Sequence, residues 1–548
     1  MDHTHSSHGP DRPLLAAIGL VLALYALYIL ATTVGWLQPS PAPPEDRGDQ
    51  ARIAEGAADD SDHASHGARA VAEGETGAAE EARQPPPLVM VIPFVLLLGA
   101  IAVFPLIPAT EHWWESNLSR FIVAAGLGAI TLLYYIVLHQ HPVQCHWIKE
   151  SLVRPSDGGL NLRLGGVVFA NAILHEYIPF IMLLFSLYTI SGGIRIQGDL
   201  PAHPLTNSAF IAVGGVLASF IGTTGAAMLL IRPLLETNKE RRHVKHTVIF
   251  FIFVVCNCGG CLLPIGDPPL FLGYLRGVGF LWTFNLWPQW LLVNSILTGM
   301  YYLYDHFWCY PHEKPIDIVR DETRVRGLKF SGLWPNALLL LGVILSVALL
   351  DPEKALLGTG WHPWPYLREV TQLGLVALSL MLGSRAVRRA NSFNYHAIVE
   401  VAALFFGIFI CMQPPLEILH VRGPDLGLSS PMHFFWLTGA LSSVLDNAPT
   451  YVVFFETAKT LGGEDLVHLT TGAISESLLR AVSLGAVFMG AMTYIGNGPN
   501  FMVKAIAEKS GIRMPSFFGY MVYSCSLLLP LFVLVTVVTW ILLPAMAR

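Results

Sequence analysis

The chain has 548 residues, of which 53% are hydrophobic and 13% charged, with a mean hydropathy of +0.53 and a formal net charge of −6. An ordinary soluble domain is roughly a quarter charged residues, so this composition excludes a water-soluble enzyme as the main body, and mild acidity gives no footprint for nucleic acid. The acidity is also local: residues 38–87 hold eleven acidic side chains against Arg47, Arg52, Arg69 and Arg83, which leaves the apolar remainder close to neutral.

Apolar runs long enough to cross a ~30 Å hydrocarbon core recur along the chain. Leu14 to Leu37 reads as a retained helix, because the run is too long for a signal peptide and Asp2 and Asp11 spoil a basic leader. Residues 38–87, rich in Ala, Gly, Glu, Asp and Pro, bury too little apolar surface to order themselves and read as an acidic tether. Leu88 to Pro108 and Phe121 to Leu138 are peripheral helices within residues 88–160. Gly166 to Ile190, Ser208 to Leu235, His246 to Leu275 and Trp287 to Phe307 form a first block, residues 161–310. Leu333 to Leu350 and the shorter Val370 to Gly383 lie in a connecting stretch, residues 311–395. His396 to Met412, Pro431 to Thr457 and Leu478 to Ala507 form a second block, residues 396–516, before a last anchor, Phe517 to Leu543, in residues 517–548. The expected fold is an all-α polytopic membrane protein of about 11 transmembrane helices plus two re-entrant hairpins, since lipid leaves backbone polar groups no partner outside a helix or closed barrel.

The two blocks repeat one another. An offset of 224 carries Glu176 onto Glu400, Ser219 onto Ser443 and the Gly222-Thr223-Thr224 break onto Asp446-Asn447-Ala448. An offset of 230 pairs Ile265-Gly266-Asp267-Pro268-Pro269-Leu270-Phe271 with Ile495-Gly496-Asn497-Gly498-Pro499-Asn500-Phe501, identical at four of seven positions. If Ser208 to Leu235 and Pro431 to Thr457 turn at their breaks and return to the side they entered, an odd number of crossings separates the Glu176 helix from the Glu400 helix. The blocks are then inverted repeats, an architecture that places transport sites near the bilayer midplane. This topology puts seventeen lysines and arginines on one side, among them Lys239, Arg241, Arg242, Lys245, Arg388 and Arg389, against nine on the other. The richer side, with the N-terminus, is expected to be cytoplasmic and residues 38–87 outside.

Breaks in membrane helices are tolerated where the freed backbone lines a cavity, binds an ion or meets neighbouring protein. Four breaks in two matched pairs mark Thr223, Thr224, Asn447, Thr450, Asn497 and Asn500 as oxygen donors to a dehydrated hard cation; simple kinks in packed helices are the alternative. An ionisable residue at membrane depth costs ~2.5 to 3.5 kcal/mol on insertion scales, so Glu176, Asp267, Glu400 and Asp446 need partners or a wet cavity. A buried Asp that exchanges a proton for a metal ion is the minimal chemistry of antiport. Asp446, Glu176 and Glu400 are thus candidates for proton coupling, and Asp267 for ion binding. Helix capping would by itself account for an Asp at 267 or 446, and an ion pair for either Glu, with His175 an obvious neighbour. Arg232, Arg480 and Lys504 stand near the breaks and, if they faced the cavity, would hold an organic anion instead.

Other patterns carry less. Cys256-Asn257-Cys258-Gly259-Gly260-Cys261 lacks a fourth ligand at structural-zinc spacing. His3, His5, His8, His63 and His66 read as solvated tail. No H-E-x-x-H, Walker A loop or G-x-S-x-G elbow occurs. No catalytic residue, resident metal or cofactor is expected, only transported Na+ and H+ as ligands.

Ser219-Phe220-Ile221-Gly222-Thr223-Thr224-Gly225-Ala226-Ala227, Leu445-Asp446-Asn447-Ala448-Pro449-Thr450 and Gly496-Asn497-Gly498-Pro499-Asn500 together resemble the ion transporter superfamily, over roughly residues 160–545. The resemblance is to the group containing NhaD-type sodium/proton antiporters and CitMHS citrate transporters. Asp446-Asn447-Ala448-Pro449-Thr450 is similar to the D-N-x-P-T signature of the antiporter branch, which implies that these residues contribute to a cation site. The citrate and dicarboxylate branch shows paired S-N-T loops, where this chain has Gly-Thr-Thr and Asp-Asn-Ala. The resemblance implies a cation/proton antiporter in a bacterial plasma membrane, with a sodium- or proton-coupled citrate or dicarboxylate symporter as the alternative. Its partners would be the lipid bilayer, a small inorganic cation or a carboxylate, and a second copy in a homodimer.

Overall fold

A computed structural model describes residues 85–542, apart from residues 147–150, 157–158, 324, 357–358, 464 and 471. The helix expected at Leu14 to Leu37, almost all of the acidic tether and the N-terminal histidines lie outside the described residues.

The described chain is overwhelmingly helical. It opens with α1 (Leu88–Leu106), α2 (Pro108–Trp114), α3 (Asn117–Val137) and the long α4 (Leu162–Ser191), which carries His175 and Glu176 in a π-helical stretch, Asn171–Tyr177. Next come α5 (Pro204–Ile221), α6 (Thr223–Thr237), α7 (Lys245–Val254), α8 (Pro268–Leu275) and α9 (Trp287–Tyr304). A connecting stretch holds α10 (Pro315–Thr323), α11 (Leu333–Leu349), α12 (Leu367–Leu382) and α13 (Arg385–Ala390). The rest is α14 (His396–Cys411), α15 (Gln413–Arg422), α16 (Pro431–Ser442), α17 (Asn447–Lys459), α18 (Glu476–Met489), α19 (Gly498–Lys509) and α20 (Phe517–Leu542). Three two-stranded antiparallel ribbons sit between helices: β1 (Val143–Cys145) with β2 (Ser151–Val153), β3 (Arg195–Asp199) with β4 (Arg326–Ser331), and β5 (Leu466–His468) with β6 (Ala473–Ser475).

Among the described residues five helices are long and apolar enough to cross a membrane, or six if α14 and α15, bent by 42° at their junction, count as one. Sequence led to an expectation of about eleven, one of which, Leu14 to Leu37, lies outside the described residues. Part of the difference is that apolar runs such as His246 to Leu275 and Leu478 to Ala507 are cut in two by irregular backbone, so neither piece reaches membrane length alone. Prolines set several of these starts: Pro204, Pro268 and Pro269, Pro288, Pro431 and Pro499 all occupy a first turn. There the missing N–H is an orphan anyway and the fixed φ suits a helix.

Helices α5 and α6 form a hairpin. The reciprocal amide pair Asn207 Nδ2 to Asn238 Oδ1 (2.8 Å) and Asn238 Nδ2 to Asn207 Oδ1 (2.7 Å) ties the start of one arm to the residue after the end of the other. The turn is Gly222, whose φ of 80° and ψ of 149° suit only a residue without Cβ. Helices α16 and α17 fold back likewise, with Phe434 and Phe454 in edge contact, ring centroids 6.2 Å apart, at matching distances from the Ser443 to Asp446 turn. Large aromatics fill the interior, with Phe251, Phe253, Phe271, Phe409, Phe434, Phe435, Tyr451 and Tyr520 all under 2% exposed. Leu133, Val137, Leu341, Val522 and Val533 face outward, as expected of surface that meets hydrocarbon.

Candidate functional site

The tips of both hairpins and both broken segments converge on Asp267, which is 1% exposed. Asp267 Oδ1 accepts from the Thr223 hydroxyl at 3.0 Å and from Asn497 Nδ2 at 3.0 Å. Its Oδ2 accepts from Asn447 Nδ2 at 2.7 Å. One carboxylate thereby joins the α5–α6 tip, the α16–α17 tip and the break before α19.

Local sequence explains why this side chain is available. Asp267 is the N-cap residue of α8, in extended backbone, yet makes no capping bond. An N-cap carboxylate normally accepts from the N–H of the second or third helical residue; Pro268 and Pro269 supply no N–H at the first two positions, and the third, Leu270 N, donates to the Asp267 main-chain oxygen at 3.1 Å. Asn497 caps α19 under the same constraint, with Pro499 as the second residue, and also makes no capping bond. Asp446 differs: the second residue of α17 is Ala448, whose N–H reaches Asp446 Oδ1 at 3.0 Å. The capping role that sequence left open for both aspartates thus belongs to Asp446 and not to Asp267.

A second layer of amides holds the breaks in place. Asn497 Nδ2 also donates to Cys256 O at 3.0 Å and Asn257 Oδ1 at 3.3 Å, and Asn257 Nδ2 reaches Asn500 Oδ1 at 2.8 Å. Asn500 Nδ2 donates to Gly490 O and Thr493 O, both at 2.9 Å, closing the break that follows α18. Thr223 N donates to Gly266 O at 2.8 Å, and a Cβ at Gly266 would run into Gly260 O, so the segment before α8 folds on itself only with glycine there. Serines pin the hairpin ends: Ser219 Oγ to Gly259 O at 2.6 Å and Ser442 Oγ to Ala486 O at 2.7 Å. Thr450 Oγ1 turns back to Asp446 O at 2.9 Å, while Thr224 is half-buried on the first turn of α6. Asn447 Oδ1 is buried and has no hydrogen-bond partner. Within a centre of otherwise paired groups, that oxygen keeps its capacity to accept.

Thr223, Asp267, Asn447, Asn497 and Asn500 are therefore brought together, with Asp446 and Thr450 at the edge. Glu176 and Glu400 are held elsewhere by ion pairs. Glu176 Oε1 lies 2.8 Å from Arg276 Nη2, and Arg276 Nε lies 3.2 Å from Glu456 Oε1. Glu400 Oε2 is 3.0 Å from Arg120 Nη1. Arg480 pairs with Glu476 at 2.7 Å and Lys504 with Glu508 at 3.5 Å, while Arg232 donates to Asn391 O. None of these cations hydrogen-bonds to Asp267. Asn257 escaped the sequence reading because it sits among cysteines that drew attention as a metal set. Its signal was an uncharged amide inside an apolar, glycine-broken run.

Residues 159–540 match the sequence profile of a transport family, CitMHS_2, described as "Putative citrate transport". The chain belongs to that family. No individual curated protein matches it. Family membership and the apolar helices together make it an integral membrane transporter.

Proposed function

We propose that this family member is a cation-coupled secondary transporter that exchanges a sodium-like cation for protons at Asp267, with Asp446 beside it, between two inverted repeats. The observation that carries the reading is a buried carboxylate at one break that accepts from hydroxyl and amide groups of the other three, with no basic side chain among the described residues hydrogen-bonded to it. A charge in so dry a place must be neutralised by a proton or by a cation. A cation entering here meets Asp267, the unpaired Asn447 Oδ1 and, once Thr223 turns its hydroxyl, a further hard oxygen, a donor set suited to a dehydrated hard ion. The inverted architecture is supported by the recurring order of hairpin, broken helix and long helix: α5 to α9 in one half, α16 to α20 in the other. Both hairpins then enter and leave on one side each, and the basic residues along β3, β4, Lys239, Arg241 and Arg388 mark the cytoplasmic face.

Everted membrane vesicles containing the protein test this. Sodium added outside is expected to alkalinise an acidified lumen, with half-saturation that shifts with pH. A second reading, citrate or dicarboxylate symport, draws on the description of the family. Saturable uptake of labelled citrate with no sodium-evoked alkalinisation would replace antiport by symport.

A further inference from the structure

We infer that the cavity between the β3–β4 ribbon and α6 is a phosphate-binding site, filled by the headgroup of an acidic phospholipid. The cavity, of about 660 Å³, is lined by Arg195 of β3, Arg232 of α6, and Arg326 and Lys329 of β4. None of these four forms an ion pair among the described residues. Two carboxylates also line the cavity, Asp199 and Glu236, and Lys239 holds both, at 2.9 and 2.8 Å. Glu240 and Asp321, which stand near Asp199, do not line it. The ribbon aims its charges inward by an irregularity. Lys329 lies opposite Gln197 and Arg326 opposite Asp199, so a step of three residues in β4 faces a step of two in β3, which returns Arg326 to the face that carries Lys329.

Burial sharpens the excess of positive charge. Arg195 and Arg232 are both half-buried. Arg232 donates to Asn391 O, and its strongest charged neighbour is a second guanidinium, that of Arg195. Basic residues on the cytoplasmic side orient a membrane protein, but orientation does not require two like charges side by side in a recess. A phosphate between them removes the repulsion and accepts paired N–H groups from each guanidinium. Apolar surroundings point to lipid as the source of that phosphate. Met228 and Leu229 of α6 give the cavity an apolar wall. Leu328 and Phe330, on either side of Lys329, are 38% and 55% exposed, and Ile316 and Val319 of α10, in the same connecting stretch, 59% and 57%. Exposed apolar side chains beside basic ones suit the boundary between acyl chains and headgroups. Arg232 stands nine residues along α6 from Thr223 at the hairpin tip, about 14 Å at roughly 1.5 Å per residue. With the tip at the midplane, where the proposed inverted repeats put it, that depth is close to the ~15 Å half-thickness of a hydrocarbon core. The cavity is separate from Asp267, so lipid binding there does not depend on what the transporter carries.

The test uses full-length protein in detergent, freed of bound lipid, to which phosphatidylglycerol, phosphatidylcholine or inorganic phosphate is added, with binding read by native mass spectrometry and by thermal unfolding. Phosphatidylglycerol is expected to bind saturably and to raise the unfolding temperature, and phosphatidylcholine to do neither. Arg326→Gln combined with Lys329→Gln changes two exposed side chains and should weaken phosphatidylglycerol by about tenfold or more. Lys314→Gln combined with Arg320→Gln removes the same charge from exposed positions outside the cavity and should leave the affinity where it was. An equal loss in the two double variants overturns the site in favour of general surface charge. Equal binding of phosphatidylcholine overturns recognition of an acidic headgroup. Inorganic phosphate that displaces phosphatidylglycerol at equal concentration assigns the cavity to a soluble anion and overturns the lipid. Each of these results is independent of sodium-evoked exchange at Asp267, which the vesicle assay reads separately.

Discussion

Replacing Asp267 by Asn separates the chemistry of its charge from its place in the packing. The carboxylate accepts three hydrogen bonds, from Thr223, Asn497 and Asn447. Asn keeps one oxygen and turns the other acceptor into a donor. Placed at Oδ2, the new NH2 faces Asn447, whose Oδ1 has no partner, so a rotation of the Asn447 amide converts a clash into a hydrogen bond. The remaining loss is that of charge assistance, and the expected stability change is about 1 kcal/mol. Asp267→Ala behaves differently, because it strands the buried Thr223 hydroxyl and the Asn447 amide at about 1–3 kcal/mol each, while Asn497 Nδ2 keeps Cys256 O and Asn257 Oδ1. The Asn variant should therefore express and purify as the wild type does, with thermal unfolding within a few degrees of it, while sodium-evoked proton movement in everted vesicles disappears. The Ala variant should fail to accumulate. Undiminished exchange in a well-folded Asp267→Asn protein would refute a carboxylate-centred exchange, and equal stability of the Asn and Ala variants would refute the hydrogen-bond count.

Three further outcomes follow from the same geometry. Pro269→Ala restores an N–H at the second residue of α8 and so offers Asp267 a capping partner that competes with Asn497 and Thr223; transport should fall about tenfold or more while thermal stability holds or rises. Gly222→Ala places a Cβ at φ 80° and ψ 149°, where the nearest atom, Ile265 O, is an ordinary 3.5 Å away; the cost is therefore torsional, about 1–3 kcal/mol, and should appear as a lower unfolding temperature in detergent. Arg276→Met leaves Glu176 and Glu456 buried without their cation, at about 3–5 kcal/mol. Adding Glu176→Gln to Arg276→Met should recover part of that loss in the same unfolding measurement.

Much of the helical layout was legible because it depends on local composition. Each apolar run predicted between Leu88 and Leu543 coincides with a helix, a hairpin or a broken pair, since a segment facing hydrocarbon has to be apolar along its length. The short α10 and the three strand ribbons were missed: β1–β2 and β5–β6 are hairpins of only three residues a strand, and β3–β4 is set by a contact far apart in the chain, Arg195 opposite Ser331. The candidate residues were legible as a set through the 224 and 230 offsets, because polar side chains inside apolar breaks stand out against their surroundings.

Roles within that set were not legible. Glu176 and Glu400 look equivalent in sequence to Asp267, but Arg276 and Arg120, a hundred and 280 residues away from them, hold them in ion pairs. Asp446 and Asp267 each precede a helix, and whether the next N–H groups exist decides which side chain caps and which turns inward. That difference was written in Pro268-Pro269 against Asn447-Ala448, though it meant nothing until the hairpin tips supplied Asp267 with other partners. By itself, then, the sequence determined where the chain is apolar, where it breaks and which residues stand at the breaks, because these follow from solvent and backbone chemistry over a few residues. Which of those residues meet, and which carboxylate is left without a local partner, was decided by tertiary structure, because hydrogen bonds and ion pairs act over about 3 Å, whatever the separation along the chain.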